Sequence, residues 1–338
     1  MIISNGPLRL STPPMTLPPG RPRRLVFAGE AIVDVVMRVP GLPPRGGDLL
    51  ATSAEVAVGG GFNVMAAAAR QGLPVLYAGG HGTGHWGDLV RAALEAEGIG
   101  LLRPPDPASD TGFDVALVEP DAERTFITSL GAESSAEPGR WDVVPAGPGD
   151  AVYVSGYGLV PPESGPLLGA WAAALPPGAL LFVDPGPLAA DIPAAVLAPV
   201  LARCDWLSCN AREAALLSGV AVGVPDGAAE AARRLLARAA RASVIVRVGP
   251  GGCLLATRPD LVHIPAPSVV AVDTTGAGDA HAGVFLAALA DGLPPADAAR
   301  RANAAAAIAV TRDGPATAPT RSELDAWLAR LAAEPRRR

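Results

Sequence analysis

Residues Val272 to Phe285 read VDTTGAGDAHAGVF, and this stretch constrains the fold more than any other. A β-branched segment with Val269, Val270 and Val272 leads into Asp273, Thr274 and Thr275. Gly276, Ala277 and Gly278 then make a turn with almost no side-chain bulk. Asp279 falls in the first turn of an apolar helix that runs on through Ala287, Ala288 and Leu289. Small residues let a backbone approach a ligand closely, and the unpaired N–H groups of a helix N-terminus favour an anion. The pattern is an anion cradle with a carboxylate beside it. A fixed negative charge at the edge of a site that merely bound phosphate would weaken binding. A base that takes a proton from a hydroxyl, while the cradle stabilises a transferring phosphoryl group, needs that placement. Asp279 is therefore read as a catalytic base, with helix capping as the competing role.

The rest of the chain alternates short apolar strands with helical segments. Leu25–Ala28, Leu73–Ala78, Ala151–Val154, Leu180–Val183, Trp206–Cys209 and Ser243–Val248 read as strands, most of them ending at Gly, Asp or Asn. That order predicts a parallel sheet with crossover helices, whose ligands collect at the carboxyl ends of the strands. Residues 38–58 and 113–130 instead alternate polar and apolar side chains around turns, as short strands with one wet face would. Asp34 interrupts an otherwise apolar run, which is costly unless something satisfies it; a turn or a structural hydrogen bond would suffice. His81 and His85 lie in a glycine-rich loop and are expected to be solvated.

A formal net charge of -6 offers no electrostatic footprint for nucleic acid or an anionic membrane, so a phosphate must be bound locally. The alanine-rich apolar runs are interrupted by charge, which argues against a transmembrane helix. Cys204, Cys209 and Cys253 cannot all pair within one chain and lack zinc-ligand spacing; they read as reduced thiols in a cytoplasmic protein. Residues 1–22 are proline-rich without a continuous apolar core, the pattern of a flexible tail rather than a signal peptide.

DTTGAGD followed by a small-residue helix resembles the C-terminal signature of the ribokinase-like (PfkB) family of carbohydrate kinases. AAAAIAVTR over Ala304–Arg312, with Gly314 and Pro319 beyond, resembles the end of bacterial ribokinases. The resemblance implies an ATP-dependent phosphotransferase with an alcohol acceptor. Its fold would be α/β, a doubly wound, mostly parallel sheet flanked by helices, with a small β-sheet lid drawn from 38–58 and 113–130. The kinase domain would cover 23–325, leaving 326–338 as a helix end and basic tail. Gly276, Ala277 and Gly278 would form the anion hole beside Asp279. Gly59-Gly60-Gly61-Phe62-Asn63 is similar to the family's G-G-x-x-N signature, implying that Gly59, Gly60 and Asn63 contact sugar hydroxyls together with Asp34; a glycine triplet by itself reads as a loop.

Asn210-Ala211-Arg212-Glu213 fits the family's N-x-x-E motif, associated with phosphate and with magnesium held by Glu213 through water; the same residues also fit a capping box. Ser243–Val248 before Gly249-Pro250-Gly251-Gly252 resembles the strand and turn under the nucleotide, which assigns Arg247, Gly249, Gly252 and Asn303 to ATP. Asn303 equally fits a polar position on a helix face. Asp273, Thr275, Ala309, Arg312 and Gly314 resemble a monovalent-cation site, hence K+. Lid strands in the family pair into homodimers.

Two departures bear on the substrate. Gly61 stands where ribokinases carry Lys, and Ser155-Gly156-Tyr157 stands where they place a sugar-contacting Glu. A ribokinase-like or fructokinase-like enzyme is the leading reading. A nucleoside kinase, and a kinase for a sugar acid or phosphorylated sugar anchored by Arg45, Arg124 or Arg247, are the alternatives. A catalytically silent sugar-binding regulator is the rival of another class, and the intact GAGD argues against it.

Overall fold

The computed structural model describes residues 21–121, 123–223, 226–239, 241–258 and 260–333. Most of the expected N-terminal tail, Ala122 in the expected turn of the second lid segment, and the last five residues lie outside them. The elements are, in chain order, β1 (Arg24–Ala28), β2 (Ala31–Arg38), β3 (Ser53–Gly60), α1 (Phe62–Arg70), β4 (Val75–Tyr77), α2 (His85–Ala96), β5 (Gly100–Leu101), β6 (Phe113–Val118), β7 (Arg124–Ser129), β8 (Asp150–Ser155) and α3 (Gly165–Ala173). They continue as β9 (Leu180–Asp184), α4 (Ala194–Arg203), β10 (Trp206–Asn210), α5 (Ala211–Ser218), α6 (Gly227–Arg238), β11 (Ser243–Arg247), β12 (Cys253–Ala256), β13 (Leu261–Ile264), α7 (Ala277–Ala290), α8 (Pro295–Ala309) and α9 (Arg321–Ala333).

Among the described residues the large sheet has nine strands in the order β13-β12-β11-β10-β9-β8-β1-β4-β5. It is parallel from β5 to β11, and the β11-β12-β13 edge is antiparallel. Successive strand residues point to opposite faces, so each strand feeds two cores. Leu25, Phe27, Tyr153, Phe182 and Trp206 face α1, α7 and α8, while Val26, Val152, Leu181 and Leu207 face α3 to α6. The chain has few aromatic residues and concentrates them under α7. Phe27, Tyr153 and Phe182 stack at 5.1 and 5.4 Å between ring centroids, and Trp206 meets Phe285 edge-on at 4.9 Å. Helix α7 is buried from Ala280 to Leu289, and its apolar composition on all sides suits that central place.

A separate four-stranded sheet has the order β3-β2-β6-β7, with β2 and β6 parallel and the outer pairs antiparallel. Here the structure corrects the strand reading. Residues 39–52 contain no strand, and β2, which carries Asp34, belongs to this sheet. The chain leaves the large sheet after Ala28. In β2, Val33, Val35 and Met37 then alternate with Asp34, Val36 and Arg38, a period that suits a sheet with two different faces rather than a buried parallel strand. Val269 to Val272 are also not a strand. Val270 and Val272 are exposed, and the Val272 N–H bonds the Val310 carbonyl at 2.7 Å, which ties this loop to the end of α8. His81, expected to be solvated, is buried; its Nε2 lies 3.1 Å from the Arg103 carbonyl, and burial lowers its pKa. His85 opens α2. Among the described residues no helix is long and apolar enough to cross a membrane.

Candidate active site

Gly276 holds the turn before α7 at φ 70°, the left-handed region that costs a residue with a Cβ more than glycine. The Ala277 N–H bonds back to Thr274 O at 3.3 Å. Among the described residues, no acceptor serves the N–H groups of Gly278 and Asp279, so the first turn presents unpaired donors. The Asp279 carboxylate does not cap the helix; its Oδ2 accepts from Asn63 Nδ2 at 3.4 Å. Burial first, and then the charge of Asp184, raise Asp279 to about 6, against the opposing pull of Arg247 and Asn63. Asn63 Oδ1 is buried without a partner and remains open to a donor.

Behind this turn, Arg247 at the end of β11 gathers three elements. Its Nη1 donates to Asp184 Oδ2 at 2.8 Å and to the Gly278 carbonyl at 3.4 Å, and its Nη2 lies 3.5 Å from Glu213 Oε2. Burial alone would oppose the Arg247 charge, but Asp184 and Glu213 outweigh it and hold the guanidinium ionised. Asn210 and Glu213 form a complete capping box on α5. Asn210 Oδ1 accepts from the Glu213 N–H at 2.9 Å, and Glu213 accepts from the Asn210 N–H and Nδ2, both at 2.7 Å. Burial, then Asp184, raise the Glu213 pKa. Asp184 was not singled out from the sequence, although Asp-Pro-Gly at a strand end is the kind of position from which a carboxylate reaches a site.

The small sheet faces the same space. Asp34 and Asp114 are register partners on β2 and β6, and both are buried. The Asp34 carboxylate lies directly over Gly59, where a Cβ would come within 2.0 Å of Oδ2. A side chain at Gly61 would meet Phe27 Cζ at 2.0 Å and the Glu30 carbonyl at 2.6 Å, which explains why no lysine stands there. Glu30, also missed from sequence, accepts from Ser155 Oγ at 3.0 Å, while its Oε2 is buried without a partner. Burial raises Glu30 to about 7, partly opposed by the Ser155 bond. A cleft of about 590 Å³, including the part open to solvent, runs between Asp34, Glu55 and Phe126 of the small sheet and Asp273, Thr275 and Gly314 opposite.

The remaining predicted residues frame the site. Asp273 Oδ1 accepts from the Thr275 N–H at 2.8 Å and pairs with Arg124 of β7; its Oδ2 accepts from the Gly314 N–H at 3.2 Å. Burial opposes the Asp273 charge, but these donors prevail and lower its pKa. Ala309 O accepts from Thr317 Oγ1, and Arg312 binds Thr317 O and Glu323, so this segment is folded around its own bonds. Gly249 and Gly252 bracket a tight turn between β11 and β12. Asn303 is turned inward: its Nδ2 holds the Ile264 and Pro265 carbonyls at 2.9 and 3.4 Å.

The family described as pfkB family carbohydrate kinase matches residues 22–321. The uncharacterized sugar kinase YegV of Escherichia coli (strain K12) is 36% identical over 304 residues, 89% of this chain and 92% of that protein. The ribokinase of Haemophilus influenzae is 29% identical over 307 residues, 89% of this chain and 97% of that one. The structure of Arabidopsis thaliana ribokinase complexed with ribose and ATP superposes with a TM-score of 0.77 at 23% identity, covering 92% of this chain and 99% of that chain.

Proposed function

The chain belongs to the pfkB family of carbohydrate kinases, phosphotransferases acting on sugars, and on that premise we propose that it transfers the γ-phosphoryl group of ATP to a sugar hydroxyl with Asp279 as the base. The observation that carries this reading is the Asp279 carboxylate beside the unpaired N–H groups of Gly278 and Asp279, with Asn63, Asp34 and Asp114 opposite. Asp279 takes the proton as the hydroxyl oxygen bonds to the γ-phosphorus; the bond from that phosphorus to the β–γ bridging oxygen breaks and ADP leaves. The first turn of α7 stabilises the charge that develops on the transferring group. Asp34, Gly59, Gly60 and Asn63 orient the sugar, and the small sheet acts as the lid that excludes competing water.

Magnesium would neutralise charge on the nucleotide phosphates. Glu213, whose carboxylate already accepts from Asn210 and Arg247, would meet a hydrated hard cation only through water. Gly249 and Gly252 would shape the nucleotide side through their turn, and Asn303 by holding the Ile264 and Pro265 carbonyls in place. Potassium would have to share Asp273 with Arg124.

The outer face of the small sheet exposes Val56 and Ile127, which favours pairing of two lids in a homodimer; sedimentation showing only monomer at working concentration would refute it. The free, buried cysteines suit a reducing cytoplasm. The kinase reading is tested by ADP release from ATP and magnesium against ribose, fructose, 2-keto-3-deoxygluconate, fructose phosphates and nucleosides. A single strong responder, abolished in Asp279→Asn, is the expected result. Asp279→Asn working as fast as the parent would overturn the role of the base.

A further inference from the structure

We infer that Asp114, paired with Asp34 across β2 and β6, is a specificity-determining residue that restricts this kinase to uncharged substrates presenting neighbouring hydroxyl groups to the small sheet. The inference rests on the kinase reading of the same cleft and narrows it.

Strand register puts the two carboxylates on one face of the sheet, side by side, 80 positions apart in the chain (114 − 34). Both residues are buried, at 8% and 7% exposure. Asp114 Oδ1 has no hydrogen-bond partner, and among the described residues no donor reaches Asp34. Buried carboxylates are ordinarily paired or hydrogen-bonded, because leaving them bare costs several kcal/mol. Burial, then the charge of Asp114, pushes Asp34 to about 8, and burial pushes Asp114 to about 6. The pair is thus held in a state that outside donors would relieve.

With Asp114 ionised and Asp34 holding its proton, the pair offers acceptors and one O–H donor, which the adjacent hydroxyl groups of a polyol, each both donor and acceptor, can meet together. A carboxylate or phosphate on the substrate would instead bring a further negative charge into a space lined by the carboxyl groups of Asp34, Asp114, Glu30 and Asp279, where burial already disfavours their own charges.

The cations that could anchor an anionic substrate, two of which line the cleft itself, are paired with carboxylates of the chain. Arg124 is on Asp273, Arg247 lies between Asp184 and Glu213, and Arg38 pairs with Asp313 at 3.1 Å. Arg45 stands exposed on the loop between β2 and β3. A sugar acid or sugar phosphate therefore meets repulsion that these cations can offset only by giving up their own carboxylates.

The test compares the parent with Asp114→Asn and Asp114→Ala, using neutral sugars and nucleosides beside their oxidised and phosphorylated counterparts. The parent is expected to prefer the neutral member of each pair by about a hundredfold in kcat/KM. Asp114→Asn should raise KM for the accepted sugar about tenfold, the equivalent of a lost charge-assisted bond, and by more than it lowers kcat. It should also narrow the gap to the anionic counterpart, while its melting temperature stays level or rises. A parent that prefers an anionic sugar, or an Asp114→Asn variant with unchanged KM and unchanged preference, would overturn the inference and leave the kinase reading standing. If no compound is phosphorylated, the kinase reading fails by itself. Calorimetric binding of the neutral sugars without ATP then decides: weaker binding to Asp114→Asn supports the carboxylate pair, and equal binding sinks it.

Discussion

Two pairs of buried carboxylates flank Asp279, and they are built in opposite ways. Asp184 and Glu213 lie on either side of Arg247, at 2.8 and 3.5 Å, and Glu213 is further held by the capping box on α5. Asp34 and Asp114 lie together on the small sheet with no cation and no donor among the described residues. In the first pair the counter-charge belongs to the chain, and folding alone satisfies it. In the second it must come from outside. A carboxylate cluster whose charge the chain already balances can position something, here the first turn of α7 through the Gly278 carbonyl, and would meet a cation only through water. A cluster that is incomplete without ligand recognises something. Asp279 stands between the two.

The largest effect should come at that midpoint. Asp279→Asn keeps the side chain's size and its contact with Asn63 but removes the base, so kcat should fall by about 10²–10⁴-fold while sugar binding survives. Single-turnover rates beside calorimetry check this, and a loss of binding equal to the loss of rate would contradict it. Next in size is Arg247→Met, which strands two buried carboxylates and should lower stability by about 3–5 kcal/mol in denaturant unfolding. Asp34→Asn is the matched change in the other pair, and it should leave stability level or raise it. Opposite signs sharpen the contrast between the pairs; equal losses would break it.

The parts of the molecule that were legible in the sequence are those whose meaning is local. Gly276 and Asp279 sit within four residues of one another, and the backbone of one turn brings them into place. The strands of the large sheet announce themselves as short apolar runs, because a strand covered on both faces has no polar side to show. Asp114 is different: it becomes a partner of Asp34 only through the parallel register of β2 with β6, which no local pattern encodes. Glu30 likewise gains meaning from Ser155, at the end of a strand that pairs with β1. The lid expected from 38–58 missed β2 for a related reason, since an apolar run with a single Asp carries no local sign of which sheet it joins after Gly29 and Glu30. Asn210 and Glu213 show a further limit, because one spacing served both a capping box and a metal motif, and the geometry displays the box.

The pH behaviour should separate the pairs again, with smaller amplitude. The Asp279 carboxylate must be ionised to act, so kcat/KM should fall as pH drops through about 6. Asp34 and Asp114 have raised values in the folded chain, so folded protein keeps protons that unfolded chain has released. Their contribution to stability is complete below the ordinary carboxylate range and is lost as pH rises through about 6 and then about 8. Melting temperatures taken across that window should decline in the parent and decline less in Asp34→Asn. A saturating neutral substrate should flatten the decline as well. Identical slopes for parent and variant would mean that the pair is satisfied in solution by something other than substrate.

The smallest effect concerns a third carboxylate, Asp273, which is intermediate between the two designs. Its counter-charge is in the chain, but on the other sheet: Arg124 reaches it from β7 across the cleft. The ion pair therefore reports on closure, since it can exist only while the small sheet lies against the loop before α7. Arg124→Ala would leave Asp273 with the Thr275 and Gly314 N–H groups and an open place for a monovalent cation. We expect potassium to stimulate Arg124→Ala more than it stimulates the parent, by roughly fivefold, the equivalent of the 1 kcal/mol or so that a partly exposed ion pair contributes. Rates in potassium, sodium and cation-depleted buffer measure the difference. The same response in both proteins would show that Arg124 and the cation do not compete, and Asp273 would then belong with the pair that folding completes.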